Sequence, residues 1–332
     1  MTEIADTARR NGLGTNATVI GRKPRNGGQI KLTLFAANTI FYQAFMFALS
    51  LLPMLLAVRL SEFAGRLRYW RRKNGVLPLQ GKMALVLKAE PERAAAWWKR
   101  SFELAAREDM EAYIYPRLTK QTLSELIHVQ GLDRLRAACA DGKGAILYSG
   151  HVRGWFSFFV ALGFHGFAVH TVGRTMKSQH PPVDSWFRER RNSFAERKLG
   201  CTFLWMTPGN FGVAAKALNA LKRNEVLLVF LDPSEPTQGT KVDFLGRKTR
   251  MPPGPILMAQ ASGAPLLSFY VHRDEGCLKQ VAEIGEPFYA SRDLAGSLQH
   301  CASILEEQIR KHPADWTPWL DPTAELWRDS QP

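Results

Sequence analysis

A chain of 332 residues that is 45% hydrophobic and 22% charged has ordinary globular proportions, which excludes fibrous, collagen-like and wholly disordered classes. Its four cysteines (Cys139, Cys201, Cys277 and Cys301) lie far apart without a C-x-x-C pair. That spacing argues against a disulfide framework or zinc ribbon and suits a reducing compartment. The 44 Lys and Arg against 30 Asp and Glu leave a net charge of +14, which points to a polyanionic partner: nucleic acid, anionic lipid or an acidic carrier protein.

Residues 1–39 open as a polar stretch rich in Gly, Asn and Arg, without the apolar core of a secretory signal, and read as a disordered basic tail. The run Ile40 to Val58, IFYQAFMFALSLLPMLLAV, is apolar enough to approach a bilayer span, but Gln43, Ser50 and Pro53 weaken that reading. Cations flank it on both sides, so no orientation is readable. A helix embedded in one leaflet, or a short anchor, is expected, with RLRYWRRK (Arg66 to Lys73) on anionic headgroups. The alternative is a buried core helix followed by a solvated basic turn. This gives three segments: the tail 1–39, a membrane-associated stretch 40–75 and a body 76–328.

In the body, residues 90–130 read as helical, with Pro91 near a start. Five short apolar runs follow: 144–150, 167–173, 201–205, 225–232 and 264–272. Each is bounded by Gly, Pro or charge and is apolar throughout, as strands covered on both faces should be. Between them lie helical patterns: a face of Phe211, Ala214, Ala215, Leu218 and Leu221, the segment 252–263 ending at Gly263, and a last helix through Leu294, Leu298, Cys301, Leu305 and Ile309. Strands alternating with helices imply an α/β fold, with a mostly parallel central sheet covered by helices. Ligands then sit beyond the carboxyl ends of the strands, the edge where GHVRGW and LDPSEP fall.

Within SGHVRGWF (Ser149 to Phe156), His151 stands just past a buried strand, with Gly150 and Gly154 leaving space around it. Such a His can reach a substrate, but a His at a strand end is more often structural or merely exposed. His165 and His170 lack metal-ligand partner spacing and read as structural.

Several blocks, in order over about 50–328, resemble the lipid A biosynthesis late acyltransferases (lauroyl and myristoyl transferases) and their relatives. LLPMLLAVRLSEFAGRLRYWRR resembles the amino-terminal membrane helix and basic stretch, and GKGAILYSGHVRGWF the strand followed by H-x-G-N-W-E. FAVHTVGR, with Arg174, is similar to the second strand and its arginine. EVLLVFLD is similar to the strand ending in Asp-Gln, here Asp232 and Pro233. VDFLGRKTRMPPGPILMAQASGAPLLSFYVHR resembles the V-P-F-F-G … T-x-x-G-P block, and HPADWTPW the terminal P-x-x-W-x-W. The resemblance implies transfer of an acyl chain from an acyl thioester, acyl carrier protein or acyl-CoA, to a hydroxyl of a glycolipid or related acceptor. It implies the cytoplasmic face of a bacterial inner membrane, and no cofactor beyond the thioester. His151 would be the general base, with Arg153 and Gly154 beside substrate and Arg174 holding an anionic acceptor group. Asp232 is either a polar group of the site or an acidic cap on the next turn. Arg247, in FLGRK, is either a phosphate contact or a solvated loop charge.

One departure stands out. The family's H-x4-D/E acid should fall on Phe156, which cannot accept the imidazole N–H bond that orients a catalytic histidine. Either another carboxylate on the same edge, Asp232 or Glu235, supplies the partner, or base catalysis has been lost. The second case would make the chain a non-catalytic scaffold for acyl chains or an acyl carrier. Nucleic-acid binding fits the charge but has no recognisable module and leaves 40–58 unexplained.

Overall fold

The computed structural model describes residues 40–174, 182–206, 212–233, 239–274 and 277–320. The chain parts into two compact units, 1–42 and 43–332. Of the first, 40–42 are described and helical; the tail expected at 1–39 lies outside the described residues.

Residues 43–49 are helical and stop at a turn over 50–53. Pro53 brings no N–H to the ladder, and its ring crowds the preceding turn. Ser50 Oγ donates to the Phe47 carbonyl at 2.7 Å, while Arg117 Nη2 donates to the Ser50 carbonyl at 3.0 Å and its hydroxyl at 2.9 Å. The apolar run is therefore divided, not the single helix expected over 40–58. Among the described residues no helix is long and apolar enough to cross a membrane.

After the turn, α1 (Met54–Leu87) runs across position 75 and packs on α2 (Pro91–Glu111). Contact is close because Gly65 faces the α2 backbone, where any side chain would meet Glu103 Cα at 2.6 Å. Ion pairs Arg100–Glu62 at 3.1 Å, Arg66–Glu103 at 3.4 Å and Arg68–Asp109 at 3.4 Å line the seam. Two cations of the basic block are thus engaged by α2. The opposite face of α1 exposes Leu56, Leu60, Phe63, Leu67 and Trp70, an apolar stripe at alternating spacings of four and three.

The body continues through α3 (Lys120–Leu126), β1 (Ile127–Gln130), α4 (Leu132–Cys139), β2 (Ala145–Ser149), α5 (Trp155–Phe164), β3 (Val169–Arg174), α6 (Pro182–Leu199), β4 (Cys201–Met206), α7 (Gly212–Lys222) and β5 (Val226–Phe230). A hairpin, β6 (Thr240–Phe244) and β7 (Arg247–Met251), leads to α8 (Gly254–Ser262), β8 (Leu266–His272), β9 (Gln280–Phe288) and α9 (Leu294–Lys311). Seven strands form one sheet in the order β1-β9-β8-β2-β5-β3-β4, parallel at every pair except β8/β9. Five co-directional strands are the five apolar runs of the sequence. β1 and β9, at one side, run opposite to them, and β6 and β7 pair antiparallel outside the sheet.

The central strands are apolar on both faces because both are covered: every residue of β2 is buried, as are Val226 to Val229 of β5. Their register sets the site. Ser149 at the end of β2 lies beside Phe230 at the end of β5, and Leu231 N–H donates to the Ser149 carbonyl at 2.7 Å. Residues 151 and 232, each two past its strand end, leave the sheet side by side.

Candidate active site

His151 and Asp232 meet at this junction. His151 Nδ1 and Asp232 Oδ2 form a short hydrogen-bonded contact, and the His151 backbone N–H donates to Oδ1 at 3.1 Å and Oδ2 at 3.0 Å. The Asp232 side chain is 16% exposed and the imidazole 53% exposed, so the carboxylate is a sheltered support for a ring open to substrate. Phe230 stacks on the imidazole, with centroids 4.1 Å apart and planes at 20°, and Trp155 meets Phe230 edge-on at 5.2 Å. In-plane contact with Asp232 and face contact with Phe230 leave the ring little freedom. Among the described residues no hydrogen bond uses Nε2. Partial desolvation on the ring's inner side favours its neutral form, but the Asp232 charge and hydrogen bond outweigh this and raise His151 above its ordinary 6.5.

The loop carrying His151 is held from two sides. From the C-terminal segment, Thr317 N–H and Oγ1 both donate to the His151 carbonyl at 2.8 Å, and Arg153 N–H donates to the Asp315 carbonyl at 2.8 Å. Val152 bridges to Trp316, whose indole N–H donates to Asp232 Oδ1 at 2.9 Å. From α2, Glu108 accepts from Arg153 Nη1 at 3.1 Å and from the Gly154 N–H at 3.3 Å. Gly154 adopts φ +79°, open to glycine, and a Cβ there would run into Gln280 and Val271.

The other expected site residues stand as follows. Arg153 turns inward, its side chain 8% exposed and engaged by Glu108 rather than facing solvent. Arg174 ends β3, and its side chain lies outside the described residues, as does Glu235. Arg247 opens β7 opposite Phe244 in the hairpin ladder. Phe156, where an acid was expected, is fully buried among Tyr115 at 4.8 Å, Trp155 at 5.6 Å, Phe159 at 5.9 Å and Phe203 at 6.4 Å.

A buried polar cluster lies beneath these rings. Glu111 accepts from Arg107 Nε at 2.7 Å, Arg273 Nη2 at 2.5 Å and Gln280 Nε2 at 3.1 Å. Gln280 also donates to Ser157 Oγ at 3.1 Å, and the Tyr115 and Ser157 hydroxyls are 2.9 Å apart. Nearby Asp315 is buried, and burial pushes its carboxyl up to about 7 against the pull of Arg273, Arg100 and Arg153. None of Glu108, Glu111 or Trp316 was singled out from sequence as a partner. The HPADWTPW block touched Trp316, and nothing in the helical stretch 90–130 set Glu108 or Glu111 apart.

Among the described residues, His272, Asp274 and His312 bring possible metal-ligand atoms within 4.8 Å of one another. The two imidazoles are stacked, centroids 3.8 Å apart and planes at 16°, so their in-plane lone pairs lie side by side rather than converging. The arrangement is a poor chelate as it stands.

Residues 29–324 match the family described as bacterial lipid A biosynthesis acyltransferase. This chain belongs to that family. It is 29% identical over 276 residues to a phosphatidylinositol mannoside acyltransferase of Mycobacterium tuberculosis, covering 79% of this chain and 83% of the relative. To the protein of that name from Mycolicibacterium smegmatis it is 28% identical over 304 residues, covering 90% and 93%. As a lipid A biosynthesis family member the chain is an acyltransferase.

Proposed function

We propose that this acyltransferase moves a fatty acyl chain from an acyl thioester to a hydroxyl of a membrane glycolipid, with His151 as general base and Asp232 as the carboxylate that orients it. The observation that carries the reading is the contact of Asp232 with Nδ1, which leaves Nε2 for substrate. Asp232 takes the part that Phe156 cannot, so the missing acid does not remove the dyad. In the reaction Nε2 accepts the acceptor's hydroxyl proton as its oxygen attacks the thioester carbonyl. Collapse of the tetrahedral intermediate breaks the C–S bond, and the imidazolium returns the proton to the departing thiolate. The products are an ester and a free thiol, and Asp232 stabilises the imidazolium in between.

The names of the mycobacterial relatives favour a sugar-bearing lipid as acceptor, with Arg174 and Arg247 as the cations for its phosphate. The exposed stripe from Leu56 to Trp70, with Arg59, Arg71 and Arg72 exposed alongside, supports attachment in one leaflet at the cytoplasmic face of the inner membrane. The +14 charge favours an acidic acyl carrier protein over coenzyme A as donor, with an affinity that falls between low and physiological salt.

The deciding experiment is transfer of a labelled acyl chain from acyl carrier protein to membrane lipid extract by wild type and His151→Ala. Loss of transfer in a variant that still folds and binds vesicles supports the base. Wild-type turnover in His151→Ala overturns it.

A further inference from the structure

Trp316 makes a contact that the proposed chemistry needs and that its neighbours cannot replace. Its indole is fully buried, edge-on to Trp319 at 4.9 Å and to Phe244 at 5.9 Å, while its backbone bridges to Val152 in the His151 loop. The N–H reaches Asp232 Oδ1 at 2.9 Å, on the oxygen opposite the one that meets Nδ1. Gly150 permits this approach: a Cβ at that position would stand 2.7 Å from Trp316 Nε1 and 3.0 Å from Asp232 Oδ1.

Resting on the reading of His151 as base, we propose that Trp316 is a positioning residue: its indole N–H holds the Asp232 carboxylate in the one rotation that keeps Oδ2 on His151 Nδ1. The terminal torsion of an aspartate is broad and roughly two-fold, so a carboxylate needs a separate donor on each oxygen to stay put. Oδ2 has the imidazole. Oδ1 has the indole and a backbone N–H that it shares with Oδ2.

The chemistry of the donor matters as much as its place. An indole N–H donates and cannot accept, so it fixes a single polarity. It is also uncharged. An Arg or Lys here would hold the carboxylate equally well, but would offset the charge that Asp232 presents to the imidazolium.

The test replaces the N–H while keeping the ring. Trp316→Phe, and the full chain with Trp316 replaced by the isosteric β-(3-benzothienyl)alanine, are assayed for kcat and KM across pH, with NMR titration of His151 in each. Freed from the indole, the carboxylate swivels and its bond to Nδ1 weakens. The His151 titration and the inflection of kcat should then both move to lower pH. The plateau kcat should fall about 10-fold, the low end of what loss of a group that orients a ligating histidine costs at metal sites. KM for both substrates should change much less than kcat. The benzothienyl chain keeps the shape of the buried ring, so a poorly folding Trp316→Phe does not stop the experiment.

An unchanged His151 titration with the N–H removed overturns the proposal. So does an upward shift, which would mean that the indole only drains charge from a carboxylate held in place by other groups. Persistent transfer in His151→Ala would remove the base, yet the NMR titration would still report whether Trp316 places the carboxylate.

Discussion

Asp232 and Glu111 each gather three donors around one carboxylate, but Asp232 stands beside a half-exposed imidazole whereas Glu111 has 0% exposure. Glu111 is surrounded by two guanidiniums and an amide, Arg107, Arg273 and Gln280. Its partners are permanently charged or permanently neutral, so nothing in the cluster changes state as conditions change. Asp232 has a titratable partner whose proton affinity it raises above the ordinary 6.5, on a ring with one edge open. The difference lies in the partner and its access to solvent, and it separates a carboxylate suited to chemistry from one that fastens α2 to the sheet.

Exchanging the acids for amides is the strongest way to break this contrast. Asp232→Asn should lower acyl transfer by about 10²–10⁴-fold, the range of general-base catalysis, while the melting temperature stays near wild type. Glu111→Gln should do the reverse. Leaving Arg107 and Arg273 buried without their counter-charge should cost about 3–5 kcal/mol in denaturant unfolding, and the surviving folded enzyme should keep its turnover. Equal stability losses in the two variants would erase the distinction.

Phe156→Glu tests whether an acid belongs at the family's usual position. The carboxyl would enter a closed aromatic cluster with no partner provided, so a stability loss of at least about 1–3 kcal/mol is expected, with no gain in turnover. Higher kcat in this variant would show that Asp232 is an incomplete substitute.

The pH responses sharpen the comparison further. His151 is raised above 6.5 by Asp232, so the fraction of neutral base, and with it kcat, should climb with pH through an inflection above 6.5. Asp232→Asn should bring that inflection down. The pair's contribution to stability is present below the unfolded value and is lost as pH rises through the folded one. Asp315 behaves likewise: with its carboxyl at about 7 in the fold, its benefit is complete below the ordinary carboxylate range and gone above about 7. Asp315→Asn should therefore flatten stability between about pH 4 and 7, measured by thermal melts across that window. The smallest effect is expected at the solvent-facing seam, where Arg68→Ala removes a half-exposed pair and should cost under about 1 kcal/mol.

The sheet's centre was legible from sequence because β2, β3, β4, β5 and β8 are apolar runs bounded by punctuation, the mark of strands covered on both faces. β9 was not, since Gln280–Phe288 alternates buried and part-exposed residues and carries Gly285 and Pro287. β1 is four residues long, and the β6/β7 hairpin is rich in charge, so neither stands out from loops. Pro53 was read as weakening a membrane span, and the structure ends the helix at residue 49, with a turn over 50–53 before the next one. At the site, His151 was identifiable from its place after a strand. Asp232 was recognised as an edge group, but its contact depends on the pairing of Ser149 with Phe230, a register invisible in one sequence. Glu108 reaches Arg153 from 45 residues before it, and Trp316 reaches Asp232 from 84 residues beyond it, separations at which local pattern carries no information.

The C-terminal clamp has a consequence for biosynthesis. Thr317 donates to the His151 loop, translated 166 positions earlier, and Trp316 to Asp232, 84 positions earlier, so the proposed pair cannot assume its final geometry until residues 316 and 317 have been made. The exposed stripe on α1 is synthesised long before. On the proposed reading, the nascent chain therefore carries its lipid-facing stripe before its site is assembled, and the site forms when residues 316 and 317 fold back over Asp232 and the His151 loop.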